Sequence, residues 1–133
     1  MRFEASRPDE LAAVLASVAK QQPAALVIAQ DALFNINRRM IIQSLARTRT
    51  PALHSYSEAA IDGGLVSYTA GSVGEFYRAS ASFVHRILKG AKPADLPIEQ
   101  PVRFEVIVNL STAKALGIAM PQSVPLRADR VIE

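Results

Sequence analysis

The sequence predicts an α/β protein built as a three-layer, doubly wound and mostly parallel sheet. Two observations point to this class. Helix-period and strand-like segments alternate through most of the chain, and the first strand-like run is apolar on both sides, as in the middle of a parallel sheet with helices on each face. The length of 133 residues matches one core rather than two.

Ser6-Arg7-Pro8-Asp9 opens the first helix: Ser6 can cap, Pro8 fits the first turn, and Asp9 and Glu10 suit its positive end. Leu11, Val14, Leu15 and Val18 mark one apolar face to about Gln21, and Pro23 stops the helix. Ala24-Ala25-Leu26-Val27-Ile28-Ala29 is the buried strand. A second helix starts at Asn35 or a neighbour and runs to about Arg47, with Ile36, Met40, Ile41 and Leu45 inward and Thr50-Pro51 closing it.

Residues 52–55 form the next strand, and Ser57-Glu58-Ala59-Ala60 a short helix ending at Gly63-Gly64. Residues 65–68 resume an apolar strand. A long helix over about 73–89 places Phe76, Tyr77, Ser80, Phe83, Val84, Ile87 and Leu88 on one side, with Gly90 as its stop. Pro93, Pro97 and Pro101 make 91–101 an extended connection. Residues 103–109 alternate polar and apolar at their start, which suits an edge strand or one with a wetter face. Asn109 or Ser111 caps a last short helix to about Gly117, and Pro121 and Pro125 punctuate the tail.

Composition narrows the function. Lys plus Arg is 15 and Asp plus Glu is 12, a net charge of +3, with 6% aromatic residues. A dense basic patch interleaved with stacking rings is missing, so nucleic acid is not the expected partner despite a pI near 9.6. With 50% hydrophobic and 20% charged residues the chain folds around a core, and the lack of cysteine excludes disulfides and thiolate chemistry. The first six residues carry acid and base without an export signal's apolar stretch, and the 23–29 run is too short to span a bilayer, which takes about 20 residues.

Ligands of doubly wound sheets bind beyond the carboxyl ends of the strands. Those positions hold Asp31 and Phe34 after the first strand, Tyr56 after the second, and Ser67 and Tyr68 at the end of the third. One carboxylate, hydroxyls and aromatic rings suit a small-molecule pocket. Asp31 could pair with an ammonium group, Tyr56 and Phe34 could stack on a ring, and Ser67 could donate to a carboxylate. Asp31 is equally suited to capping a helix, and Phe34 to the core.

Catalytic signals are weak. The two histidines, His54 and His85, have no metal-ligand spacing, no Gly-x-Ser-x-Gly elbow occurs, and Gly71-Ser72-Val73-Gly74 lacks the pattern of a phosphate loop. No enzyme activity, metal or cofactor is expected. An enzyme acting near Asp31 and His54 ranks last, since no nucleophile, base and oxyanion set can be assembled. Arg38, Arg39, Arg47 and Arg49 could meet a phosphate, but a solvated helix face is the commoner role of such a stretch.

Gly63-Gly64-Leu65-Val66-Ser67-Tyr68, the run Leu88-Lys89-Gly90-Ala91-Lys92-Pro93-Ala94-Asp95-Leu96-Pro97-Ile98-Glu99-Gln100-Pro101, and Phe104 through Asn109 with Thr112-Ala113-Lys114-Ala115-Leu116-Gly117 resemble one family. It is the substrate-binding proteins of ABC transporters, in the tryptophan- and tyrosine-binding group. Resemblance covers nearly the whole chain but only the family's C-terminal part.

The resemblance implies one lobe of a type I periplasmic-binding fold, carrying a small solute such as an amino acid to an ABC permease, without catalysis. It implies a C-terminal-lobe-like unit over 1–100 and a strand, helix and tail over 101–133 that run near the hinge and a missing N-terminal lobe. Asp31, Tyr56, Ser67 and Tyr68 then fall on loops facing the cleft, and Thr69 departs from the glycine that commonly follows Ser-Tyr. The surface left by the missing lobe suggests a homo-oligomer. A periplasmic location follows for the full-length family, and a cytoplasmic one if this short form is native. The alternative is a ligand-sensing regulatory or vestigial oligomeric domain of the same fold.

Overall fold

Leu11 and Val18 lie two turns apart on one helix face, and both are buried. They belong to α1 (Leu11–Gln21), the first helix of a computed structural model that describes residues 1–70, 73–99 and 104–133. The Glu10 carboxylate takes the place expected for the Ser6 hydroxyl at the helix start, accepting from the Ser6 and Arg7 amides at 2.8 and 3.3 Å. Gln22, with φ of 43°, ends the helix ahead of Pro23.

Among the described residues five strands form one sheet: β1 (Leu26–Ile28), β2 (Ala52–His54), β3 (Val66–Thr69), β4 (Glu105–Asn109) and β5 (Arg130–Ile132), in that spatial order. β1, β2 and β3 are parallel, β4 is antiparallel to β3, and β5 is parallel to β4. The expected α/β class and mostly parallel sheet are therefore present, with one reversal between β3 and β4.

One strand position differs from expectation, and another is narrowed. Among the described residues β1 is an edge strand, and Val27 on it is 75% exposed. Of the two readings of β4, an edge strand or one with a wetter face, the edge is excluded, since β5 pairs with its outer side, and Ile107, Val108 and Asn109 are buried. The tail, which the sequence leaves irregular, supplies both α7 (Ser123–Arg127) and β5. Pro125 fits in α7 because it stands in the first turn, where amides have no intrahelical partner.

The expected second helix is divided into α2 (Ala32–Ile36) and α3 (Arg38–Thr48) at Asn37, whose side chain donates to the Leu33 carbonyl at 2.8 Å. The break shifts the inner stripe. Ile41, Ile42 and Leu45 are buried, whereas Ile36, on the separate α2, is 79% exposed. Val18, Ile41, Leu45 and Ala52 form the core, with Leu26, Ile28 and Phe34 packed against it.

α4 (Ser57–Ile61) ends where the Gly64 amide donates back to the Ala59 carbonyl at 2.7 Å, with Gly63 at a φ of 103° that side chains avoid. α5 (Val73–Leu88) has the expected length, but the stripe read as its inner face is largely uncovered: Tyr77, Val84 and Leu88 are exposed. The Arg86 guanidinium lies over the Phe83 ring at 4.5 Å and pairs with Glu99 at 2.9 Å. α6 (Leu110–Leu116) is capped by Asn109, whose Oδ1 accepts from the Thr112 amide at 2.9 Å. The expected glycine turn at Gly71-Ser72 lies outside the described residues. So do the end of the proline-rich connection and the expected strand start at Arg103.

Candidate functional site at the carboxyl edge

Because β1, β2 and β3 run the same way, the loops after them share one edge of the sheet. The Ser55 hydroxyl ties two of these loops together by donating to the Ile28 carbonyl at 2.9 Å. Asp31 sits at the N-cap of α2, where its Oδ1 accepts from the Leu33 amide at 2.8 Å. The capping role is thus observed, and it leaves the carboxylate exposed at the edge with a fixed orientation.

Tyr56 occupies the extended residue before α4. Partial burial raises its phenol pKa, and the carboxylates of Asp31 and Glu58 raise it further. The Asp31 charge, 25 residues away in sequence, therefore reaches the Tyr56 phenol across the two loops. Glu58 escaped the sequence reading. An acid in the first turn of the helix after the second strand was the available signal.

The other expected site residues lie elsewhere. Ser67 is fully buried, at 0% exposure, and its hydroxyl donates to the Tyr56 carbonyl at 2.7 Å while accepting from the Ala60 amide at 3.1 Å. It holds the Tyr56 loop and has no free face for a ligand carboxylate. Neighbouring strand residues point to opposite faces, so Tyr68 cannot share a site with Ser67. Tyr68 is 46% exposed and stacks on Phe104 with ring centroids 5.4 Å apart and an angle of 12°. Phe34 is half-buried and packs on the core beneath the edge. Phe104 was unreadable as a partner without knowing that β4 reverses.

His54 does not face Asp31. Its ring packs against Gly64, ahead of β3, and burial pushes its pKa down to about 4. The arginines of the basic stretch do not form one patch. Arg38 and Arg39 share Asp62 at 2.8 and 3.3 Å, holding that carboxyl below its ordinary range, while Arg47 and Arg49 lie at the far end of α3. Among the described residues no group of three or more histidine or acidic side chains could hold a metal ion. No described helix is long and apolar enough to cross a membrane.

A mostly parallel α/β sheet with a polar and aromatic edge beyond its strand ends has the geometry of a small-molecule binding domain. The sequence profile of the family described as ABC transporter substrate binding protein matches residues 1–132, and the chain belongs to that family. No curated protein matches the chain. Among solved structures, the chain is similar to the ABC domain from Streptococcus pneumonia in complex with L-Trp, with 25% identity and a TM-score of 0.87. That match covers 98% of this chain and 43% of the other. A conserved domain protein from Vibrio cholerae O1 biovar El Tor shares the fold at a TM-score of 0.84 and 19% identity, covering 96% and 42% of the two chains. A ligand-free, open substrate-binding protein with adhesive properties from Clostridium difficile does so at 0.62 and 18%, covering 97% and 42%. The chain thus spans less than half the length of these proteins.

Proposed function

We propose that this chain is the solute-binding lobe of an ABC-type uptake system, holding a small amine-bearing molecule such as an amino acid at the Asp31–Tyr56 edge. Membership of the family supports a solute as ligand, an ABC permease as partner and a periplasmic place of action. It also favours binding without catalysis. The observation that carries the reading is the convergence of the Asp31 carboxylate and the Tyr56 phenol beyond the parallel strands. Asp31 receives the ammonium group, and Tyr56 supplies a ring and a hydroxyl beside it. Ser67 and Phe34 hold those loops from below, and the Tyr68–Phe104 pair offers a flat apolar surface on the other face.

Asp31→Asn separates charge from structure, because asparagine caps a helix as well as aspartate does. With L-tryptophan as the probe, chemical-shift titration of the wild type is expected to show weak saturable binding. The substitution is expected to lower affinity about tenfold, equal to about 1.4 kcal/mol, with α2 intact. Equal affinity in the two proteins would remove Asp31 from the site.

The uncovered stripe of α5, with Tyr77, Val84 and Leu88 exposed, supports self-association of this chain. Sedimentation at micromolar concentration is expected to show a dimer or larger species, and a sharp monomer would contradict this.

A further inference from the structure

His54 is 4% exposed, and no hydrogen bond or ion pair to its imidazole is found among the described residues. The ring stands in a half-open hollow between α3, α6 and the turn before β3, walled by Leu45, Thr50, Gly64, Thr112 and Leu116. The hollow has room for about one water molecule, which is too little for a second solute site. Its two hydroxyls are already engaged, Thr50 with the Thr48 hydroxyl at 2.8 Å and Thr112 with the Gly63 carbonyl at 3.0 Å.

Among the described residues, no other one lining the hollow is ionisable. The charged groups of the surrounding elements are turned elsewhere: Arg38 and Arg39 of α3 to Asp62, Glu58 of α4 to the Ser57 hydroxyl, and Arg47 and Lys114 to solvent. His54 is also joined to the carboxyl edge. Tyr56 follows it by two residues, and Gly64, against which the ring rests, closes the C-terminal end of α4 on Ala59.

We infer that His54 is an acid-sensitive latch on the Asp31–Tyr56 edge: a protonated ring in this hollow finds no carboxylate, so it swings out and loosens the end of β2 together with α4. Burial sets the direction, since the folded ring titrates at about 4 and an opened chain at 6.5. Above 6.5 the ring is neutral in both forms and the latch holds fully. Its hold is lost as the pH falls from 6.5 toward about 4, because the opened form binds the extra proton. The consequence for solute binding rests on the function proposed for the edge. Opening itself does not, so the two can fail separately.

Amide hydrogen exchange on this chain at about pH 7 and about pH 4.5, corrected for intrinsic rates, tests the latch. Protection of residues 53–60 is expected to fall roughly fifty-fold, as the two proton affinities require. α1 packs on α3 and contributes no residue to the hollow, so a local opening there should leave its protection in place. His54→Gln should abolish the fall. A magnetic-resonance titration of the wild-type ring, which needs no variant, should give a midpoint near 4. Unchanged protection at 53–60, a fall shared equally by α1, a fall that survives in His54→Gln, or a ring midpoint at 6.5 would overturn the inference.

Discussion

Gly64→Val is expected to destabilise the chain by about 3 kcal/mol, seen as a lower urea midpoint. A Cβ at this position would stand 2.8 Å from the Ala59 carbonyl oxygen, 3.2 Å from its carbon and 3.0 Å from the His54 ring. Two of these are backbone atoms of α4. They cannot retreat without breaking the 2.7 Å bond from the Gly64 amide to that same carbonyl. The neighbouring Gly63 is the control, since a Cβ there meets only Ile42 at 3.8 Å and the cost comes from its φ of 103°. Gly63→Ala should therefore cost about 1 to 2 kcal/mol. If both variants lose the same stability, close packing at Gly64 is not the cause.

Asn109→Ala is expected to cost a similar amount, about 3 kcal/mol, by combining a lost cap with a stranded carbonyl. Asn109 is buried, its Oδ1 accepts from the Thr112 amide at 2.9 Å and the Ser111 hydroxyl at 2.7 Å, and its Nδ2 donates to the Ala60 carbonyl at 3.0 Å. This one side chain starts α6 and ties it to α4. Asn109→Asp keeps the cap but turns an acceptor toward the Ala60 carbonyl, so it should recover less than the full loss. Chemical denaturation of the two variants separates these contributions, and full recovery in Asn109→Asp would mean that the tie to α4 contributes nothing.

Much of the proposed site was readable as position and little of it as contact. Asp31 and Tyr56 follow from the rule that loops after parallel strands share an edge, and each needed only a correct strand end. Ser67 and Tyr68 could not both serve one pocket, because strand alternation sends them to opposite faces. That conflict was present in the sequence itself. Glu58 was visible as an acid in a first helical turn, but its closeness to the Tyr56 phenol depends on how α4 leaves β2. Phe104 needed the antiparallel pairing of β4 with β3, a long-range contact without a local signal.

Local periodicity and chain-stopping residues determined by themselves the alternation of helices and strands, the C-terminal stops of α1 and α5, and a helix cap at Asn109 or Ser111. These depend on interactions within a few residues, which sequence spacing records directly. Only the tertiary structure decided that β1 lies at an edge, that three tail residues become β5, and that His54 is buried. Each of those outcomes depends on which distant segment arrives to cover a side chain or pair with a backbone, and burial of that kind is a property of the assembled core.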